Sequence, residues 1–196
     1  MEKIKLPNVS LVCLTNKDFE GHKKAIDKSC EGIEFGGVKL IWDEKCGSID
    51  EWNHKIIRDL WKYVDTTHAL LIHSDGYVIN PHLWKDEWLE LDYIGSPWPM
   101  PHPDDRVSYR TENGYVARVG NSVSLRSREL MYRASTREWK SYYGNTNEDG
   151  FICCHNREWL EHGGMKFATF EQALDFGREH DLPEHKGRDT FLFHSL

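Results

Sequence analysis

Two short apolar runs constrain the fold of this chain most strongly. Residues 9–15 (VSLVCLT) and 69–73 (ALLIH) have the character of strands that are buried on both faces, as in parallel sheets. Amphipathic segments at 18–30 and 51–64 predict helices between these strands, and residues 38–42 predict a further short strand. Strands that alternate with helices predict an α/β fold with a mixed, mainly parallel sheet flanked by helices.

Shorter elements and one loop are predicted for the rest of the chain. Four prolines between residues 96 and 105 predict the loop. The predicted elements are a helix at 84–91, a strand at 116–125, a helix at 127–135, a helix capped by Thr146 or Asn147 that runs to residue 161, and a helix at 170–179. Thr169 and Gln172 have the spacing of a capping box, which predicts where the last of these helices begins.

Composition limits the class of protein. The 196 residues fit one domain, 1–196, and the net charge of −7 argues against a protein that holds nucleic acid mainly by neutralising phosphates. Five cysteines without a CxxC pair predict neither a disulfide framework nor a zinc knuckle. Because no signal peptide or membrane-length apolar run is present, we expect a reducing, cytoplasmic setting without a membrane contact.

Polar residues follow the two apolar runs, at the strand ends where α/β sheets bind ligands. Thr15 and Asn16 end the first run, and His73 and Asp75 end the second. A carboxylate at such an edge is a natural ligand for Mg²⁺ or Mn²⁺, which in turn binds a diphosphate. Gly76 lets the backbone turn beside Asp75. The alternative is that Asp75 and Gly76 form only a turn.

Three further places carry candidate functional residues. Glu148 and Asp149 fall at a predicted helix start, where the dipole favours ionised carboxylates that could accept a proton; capping alone is the alternative. His194, in an aromatic tail, is either a metal ligand or a surface residue of a docked tail. Small polar residues at 120–127 (GNSVSLRS) would allow close contact with a sugar, although a β-bulge has a similar pattern.

In sequence order, these segments resemble a family that is catalogued as a domain of unknown function and regarded as glycosyltransferase-like. The resemblance spans nearly the whole chain, and its DYIG-PW and GN…SLRS blocks are the more specific ones. The matching segments are LPNV (6–9), LVC (11–13), ALLIHSDGYV (69–78), NP (80–81), WKDEWLELDYIGSPW (84–98), RVGNSVSLR (118–126), NEDGFIC (147–153) and MKFA (165–168).

The resemblance implies a GT-A-like, Rossmann-type fold with a nucleotide-sugar-binding half at about 1–95 and an acceptor-binding, catalytic half at about 96–196. Asp75 would correspond to the metal-binding carboxylate, and His194 to a C-terminal histidine that completes the metal site. Asp149, with its neighbour Glu148, would correspond to the acidic pair that supplies the catalytic base in inverting members. The other implied contacts are Thr15, Asn16, Asn53, His73 and Gly76 to the donor, and Trp98, Asn121, Ser122 and Arg126 to the sugar or acceptor.

The expected function is transfer of a sugar from a nucleoside-diphosphate sugar to an acceptor hydroxyl, assisted by Mn²⁺ or Mg²⁺. The expected donor is a UDP-sugar, and the acceptor is a glycan, a small molecule or modified DNA. The chain departs from the family pattern in two places, since GNSVS is short of one residue and of glycines, and His73 stands where a DxD motif has its first acid. Two alternatives therefore stay open: a phage-type enzyme acting on hydroxymethylated bases in DNA, and a non-catalytic module that binds carbohydrate or nucleotide.

Overall fold

A five-stranded sheet forms the centre of the molecule. The computed structural model describes residues 2–102, 110, 111, 113–139 and 147–195. The strands are β1 (Ile4–Thr15), β2 (Ile33–Trp42), β3 (His68–Leu71), β4 (Tyr93–Pro97) and β5 (Val119–Ser127), in the order β2-β1-β3-β5-β4. β1 pairs in parallel with β2 and β3, whereas β5 pairs antiparallel with β3 and β4. The predicted mixed, mainly parallel sheet is therefore confirmed.

Helices cover both faces of this sheet. They are α1 (Phe19–Cys30), α2 (Ile49–Asp59), α3 (Arg128–Ser135), α4 (Glu148–Gly150), α5 (Arg157–His162) and α6 (Phe170–Phe176). None of these helices, which belong to the part of the chain that the structure describes, combines the length and apolar character needed to span a bilayer.

Alternate side chains of β1 enter two separate hydrophobic cores. Leu11 and Cys13 pack into the core that contains Ala25 and Ile26 of α1. Val12 and Leu14 pack into the core on the other face, which contains Ile56 of α2. Successive residues of a strand point to opposite faces, so a strand buried on both faces must be apolar at nearly every position. This requirement explains the run VSLVCLT.

The capped helix starts agree with the sequence, but several predicted boundaries are wrong. Ser48 caps α2 and forms a capping box with Glu51, and the helix gives way to a 3₁₀ turn at Leu60–Tyr63. The helix predicted up to residue 161 is broken by a π-helical segment, Phe151–His155, between α4 and α5. The short helix predicted at 84–91 is a 3₁₀ helix over Asp86–Glu90.

The strand bounds differ as well. The strand predicted at 116–125 begins at Val119 and ends at Ser127, and the loop predicted from residue 96 begins only after Pro97. Thr146 and residues 103–105 lie outside the described residues.

The end of the last predicted helix differs most from expectation. α6 ends at Phe176, and the next two residues form a short strand, β6 (Gly177–Arg178), which pairs in parallel with β7 (Leu192–Phe193). Gly177 packs closely on the neighbouring sheet, because a Cβ added there would lie 2.6 Å from the Ser96 hydroxyl oxygen. The helix therefore ends where the chain must pass close to β4, and the residues after it approach the tail.

Candidate active site

A cavity of about 460 Å³ opens at the carboxyl ends of β1 and β3. Its size is typical of small-molecule sites in proteins. The predicted residues that line it are Thr15, Asn16, Asn53, His73, Ser122, Glu148, Asp149 and His194. These residues are brought together from six separate segments of the chain.

The C-terminal tail completes one end of this cavity by docking on the turn at residues 73–76. The His73 amide donates to the Gly76 carbonyl at 2.8 Å, which closes the turn. Ser195 fixes the tail to it, since its amide donates to the Asp75 carbonyl and its hydroxyl to Asp75 Oδ2, both at 2.9 Å. A Cβ at Gly76 would lie 2.8 Å from His194 Cδ2, so a glycine is required for this close approach.

His73, Asp75 and His194 form a cluster of potential metal ligands, one atom of each lying within 4.8 Å of the others. His194 Nε2 is 3.7 Å from Asp75 Oδ1, and the two imidazole rings meet edge to face with centroids 5.2 Å apart. The buried Nε2 atom of His73 has no hydrogen-bond partner. Two imidazoles and a carboxylate are a donor set that divalent transition metals accept, so these residues fit such an ion.

The pKa values of the cluster favour the ligand forms of two of its members. Burial, followed by the nearby His194 ring, lowers the pKa of His73 to about 3, so this imidazole is neutral and keeps a free lone pair at neutral pH. Burial alone would raise the pKa of Asp75, but the Ser195 hydrogen bond and the two histidines hold it below its usual value. Burial likewise opposes the charged form of His194, yet the Glu179 and Asp75 carboxylates raise its pKa overall.

A buried ion pair, of which Glu148 lines the cavity, lies behind its wall. Arg126 donates to Glu148 Oε1 at 2.6 Å, and both side chains are only 1% exposed. Further hydrogen bonds fix the pair, because Arg126 also donates to Ser124 Oγ and the Ser122 carbonyl, while the Glu148 amide donates to Asn53 Oδ1. Glu148 is thus held in place with its charge compensated inside the protein.

Asp149 differs from its neighbour because it has no cationic side chain as a direct partner among the contacts described. Burial, followed by the charge of Glu148, raises the pKa of Asp149 to about 7. Its Oδ1 accepts a 2.7 Å hydrogen bond from the Gly150 amide. The expectation that a helix start keeps both carboxylates ionised does not hold for Asp149, because burial outweighs a helical segment as short as α4. A carboxyl group with this pKa exchanges a proton near neutral pH.

Residues 39–194 match the family described as "Protein of unknown function (DUF5672)". This chain belongs to that family. The matched range contains the ligand cluster and the acidic pair, whereas Thr15 and Asn16 precede it. No sequence among the curated proteins matches this chain.

A solved structure has the same fold. It is the crystal structure of a glycosyltransferase involved in the glycosylation of the major capsid of PBCV-1, with a TM-score of 0.62 over 95% of this chain and 92% of that one. The sequence identity is 10%, so the likeness concerns the fold. The predicted GT-A-like, Rossmann-type α/β fold is therefore confirmed.

Five of the predicted site residues, namely Asp75, Gly76, Trp98, Asn121 and Arg126, do not line the cavity in the described part of the chain. Asn121 is fully buried with a φ of 97°, donates to Ser96 Oγ at 3.0 Å and accepts from the Tyr93 hydroxyl at 2.6 Å. The pairing of β5 with β4 shifts register here, so β5 contains a β-bulge, which was the alternative interpretation of the GNSVSLRS pattern. The bulge presents Ser122 to the cavity.

Sequence reasoning missed several residues that line the cavity, above all Lys17, His22, Trp52 and Glu179. Trp52 lies in the amphipathic segment at 51–64, which predicted a helix but no role in the site. In the structure, its Nε1 donates to the Leu14 carbonyl at 2.7 Å and its ring meets His73 edge to face. Lys17 could have been found from its place directly after Thr15 and Asn16. Glu179 was hidden by the prediction that α6 continues through it.

Proposed function

We propose that this protein is a divalent-metal-dependent glycosyltransferase, which moves a sugar from a nucleoside-diphosphate sugar to an acceptor hydroxyl with inversion. The observation that carries the proposal is the pairing of two features in one cavity. His73 and His194 line the cavity and form a ligand cluster with Asp75 beside it, and the carboxyl group of Asp149, with a pKa of about 7, lines the same cavity. The fold shared with a glycosyltransferase supports the same reading.

The donor diphosphate is assigned to the part of the cavity beside His73, Asp75 and His194. These three side chains would hold a divalent cation, whose positive charge would stabilise the departing nucleoside diphosphate. Lys17 and His22 line the same cavity and add positive or polar groups for phosphate oxygens. The donor set favours Mn²⁺ over Mg²⁺, because Mg²⁺ prefers oxygen ligands and two of these three are nitrogens.

Asp149 is the proposed general base. Its ionised carboxylate takes the proton of the acceptor hydroxyl as that oxygen attacks the anomeric carbon, which has oxocarbenium character in the transition state. The raised pKa suits this role, since a base works best when its pKa lies near the working pH. Glu148 is engaged with Arg126 at 2.6 Å, whereas Asp149 has no cationic side chain as a direct partner among the contacts described, so Asp149 is the carboxylate assigned to the proton.

Metal-dependent binding of a nucleoside diphosphate tests the proposal first. The melting temperature is measured with UDP, GDP, CDP and TDP, with and without Mn²⁺, for the wild type and for Asp75→Asn. Ligand at 100 times its Kd adds about 2.7 kcal/mol, which raises Tm by roughly 5–11 °C in a chain of this size. Asp65→Asn is the matched control, because Asp65 is exposed and pairs with Lys39 away from the cavity.

We expect one diphosphate to raise Tm only with Mn²⁺, in the wild type and the control but not in Asp75→Asn. No shift with any nucleotide would overturn the proposal. Metal-dependent binding without donor cleavage in any acceptor mixture would favour the non-catalytic binding module instead. Product stereochemistry, read by NMR of the anomeric proton, separates inversion from retention.

A further inference from the structure

Glu179 lies beside His194 as a consequence of the pairing between β6 and β7. Gly177 pairs with Leu192 and Arg178 with Phe193, so the next pair in the same register is Glu179 with His194. The His194 amide donates to the Arg178 carbonyl at 2.9 Å, which continues this register by one bond. The backbone thus brings a carboxylate to the side of the His194 ring that faces away from Asp75.

The imidazole of His194 lies between two carboxylates. Its Nδ1 is a buried atom without a hydrogen-bond partner among the described residues, and the 3.5 Å separation from Glu179 Oε1 is a charge contact. Its Nε2 is 3.7 Å from Asp75 Oδ1. The contact with Glu179 is well shielded from water, since the side chains of His194 and Glu179 are only 14% and 21% exposed. The other oxygen of Glu179 lies 3.5 Å from His180 Nε2, outside the ligand cluster.

We propose that Glu179 is a positioning residue, which holds the proton of His194 on Nδ1 so that Nε2 presents its lone pair to a metal shared with His73 and Asp75. This role rests on the proposed function, because it requires that the cluster binds a divalent cation. The carboxylate fixes both the tautomer and the orientation of the ring. Loss of such a partner typically costs 10–100-fold in metal affinity.

A direct contact between Glu179 and the donor is the competing role, because Glu179 also lines the cavity. The two roles differ in what they require. A positioning residue acts on the metal and on the His194 ring in the absence of any nucleotide, whereas a donor contact affects neither. Measurements without nucleotide therefore separate them.

Two readouts test the role on the full chain. The first is the Kd for Mn²⁺ alone, followed by the EPR signal of the free ion, for the wild type, Glu179→Ala and Glu179→Gln. The second is ¹⁵N NMR of the histidine side chains in metal-free protein at about pH 9–10, well above the usual histidine pKa of about 6.5, because the nearby carboxylates raise the pKa of His194; a His194→Gln variant assigns the signal. Glu171→Ala is the matched control, since Glu171 is an exposed carboxylate that pairs with Arg188.

We expect His194 to carry its proton on Nδ1 in the wild type and to return in Glu179→Ala to the Nε2–H form that free histidine favours. Mn²⁺ affinity should fall by about 10–100-fold in Glu179→Ala, and less in Glu179→Gln, which keeps an acceptor oxygen but loses the charge. The control should match the wild type in both measurements. Since Glu179→Gln preserves the side-chain volume, it tests the role even if Glu179→Ala folds poorly.

Unchanged Mn²⁺ affinity and an unchanged His194 tautomer in both Glu179 variants, with tight binding by the wild type, would overturn this role and leave the proposed function standing. A wild type that binds no divalent cation would overturn both.

Discussion

The buried ion pair and the ligand cluster differ in how their charges are compensated. Arg126 and Glu148 neutralise each other within the protein and are fully shielded from solvent. In the cluster, the Asp75 side chain is 62% exposed, and ligand atoms of His73 and His194 lie within 4.8 Å of it. The ion pair is complete in itself, whereas the cluster leaves atoms that the proposed cation would bind. A buried ion pair fixes the shape of a site, and a cluster of this kind is what the proposed function requires.

A similar contrast exists between two successive residues, because Glu148 is paired with Arg126 whereas Asp149 has no cationic side chain as a direct partner among the contacts described. Asp149→Asn tests this contrast and should have the largest effect. Turnover should fall about 10²–10⁴-fold, the range that general-base catalysis contributes. The folded protein holds the Asp149 proton more tightly than the unfolded chain, so the stability that this group contributes falls as the pH rises from about 4 to about 7. At pH 8 the variant should therefore be at least as stable as the wild type.

Steady-state kinetics and Tm at pH 8 check this prediction together. Near-normal turnover would rule out Asp149 as the base, while a loss of activity accompanied by a lower Tm would assign it a structural role.

Arg126→Met should have the next largest effect, on stability. It leaves Glu148 charged and buried without a partner, which costs about 3–5 kcal/mol in the free energy of unfolding. Adding Glu148→Gln should restore part of this loss, because the unpaired charge disappears. Urea denaturation measures all three proteins. Lys28→Met is the control, since it breaks an exposed pair with Glu31 that contributes about 0–1 kcal/mol. A double variant no more stable than Arg126→Met would contradict this account.

Gly76→Ala should disturb the docking of the tail beside Asp75 without removing any of the proposed metal ligands. The new Cβ would lie 2.6 Å from Val123 Cγ2 and 2.8 Å from His194 Cδ2, so the tail must shift. We expect a loss of about 1–3 kcal/mol in stability from overpacking and Mn²⁺ binding that is about tenfold weaker. In Gly47→Ala, the nearest contact is an ordinary 3.4 Å, so this control should bind Mn²⁺ normally. Unchanged Mn²⁺ affinity in Gly76→Ala would separate tail docking from metal binding.

The smallest expected effect is a shift in the pH profile. Because the base must be ionised, kcat/KM should fall about tenfold per pH unit below the pKa of Asp149, which is raised to about 7. Glu148→Gln should move this inflection to lower pH, since the charge of Glu148 raises the pKa of Asp149. Assays at saturating Mn²⁺ between about pH 5 and 9 provide the test. A flat profile in the wild type would contradict Asp149 as the base, and an unmoved inflection in the variant would show that Glu148 does not raise the pKa of Asp149.

Local patterns predicted the central strands β1 and β3, because burial on both faces leaves a direct mark on the sequence, whereas β4, β6 and β7 were not predicted. β1 is apolar at successive positions since its residues enter two cores, and this pattern predicted both the strand and its place in a parallel sheet. Capping residues also predicted helix starts, such as Thr169 for α6. These signals depend on residues a few positions apart, which a single sequence contains in full.

Contacts between distant segments were not predictable in the same way. Asp75 was identified from a strand that ends in Asp-Gly, but only the family resemblance connected it with His194. Nothing local indicated that Arg126 would pair with Glu148, although each was singled out for another reason. Glu179 was missed because the capping box of α6 predicts where a helix begins, whereas its end is set by close packing of Gly177 against β4.

The docking of the tail also determines when the site can exist. Asp75 and its hydrogen-bond partner Ser195 are 120 residues apart in sequence, and chains are synthesised from the N-terminus at about 5–20 residues per second. The turn at residues 73–76 is therefore synthesised several seconds before His194, the third residue of the proposed cation site. A chain arrested before His194 would contain the sheet and the acidic pair but not the histidine that the proposed cation site requires.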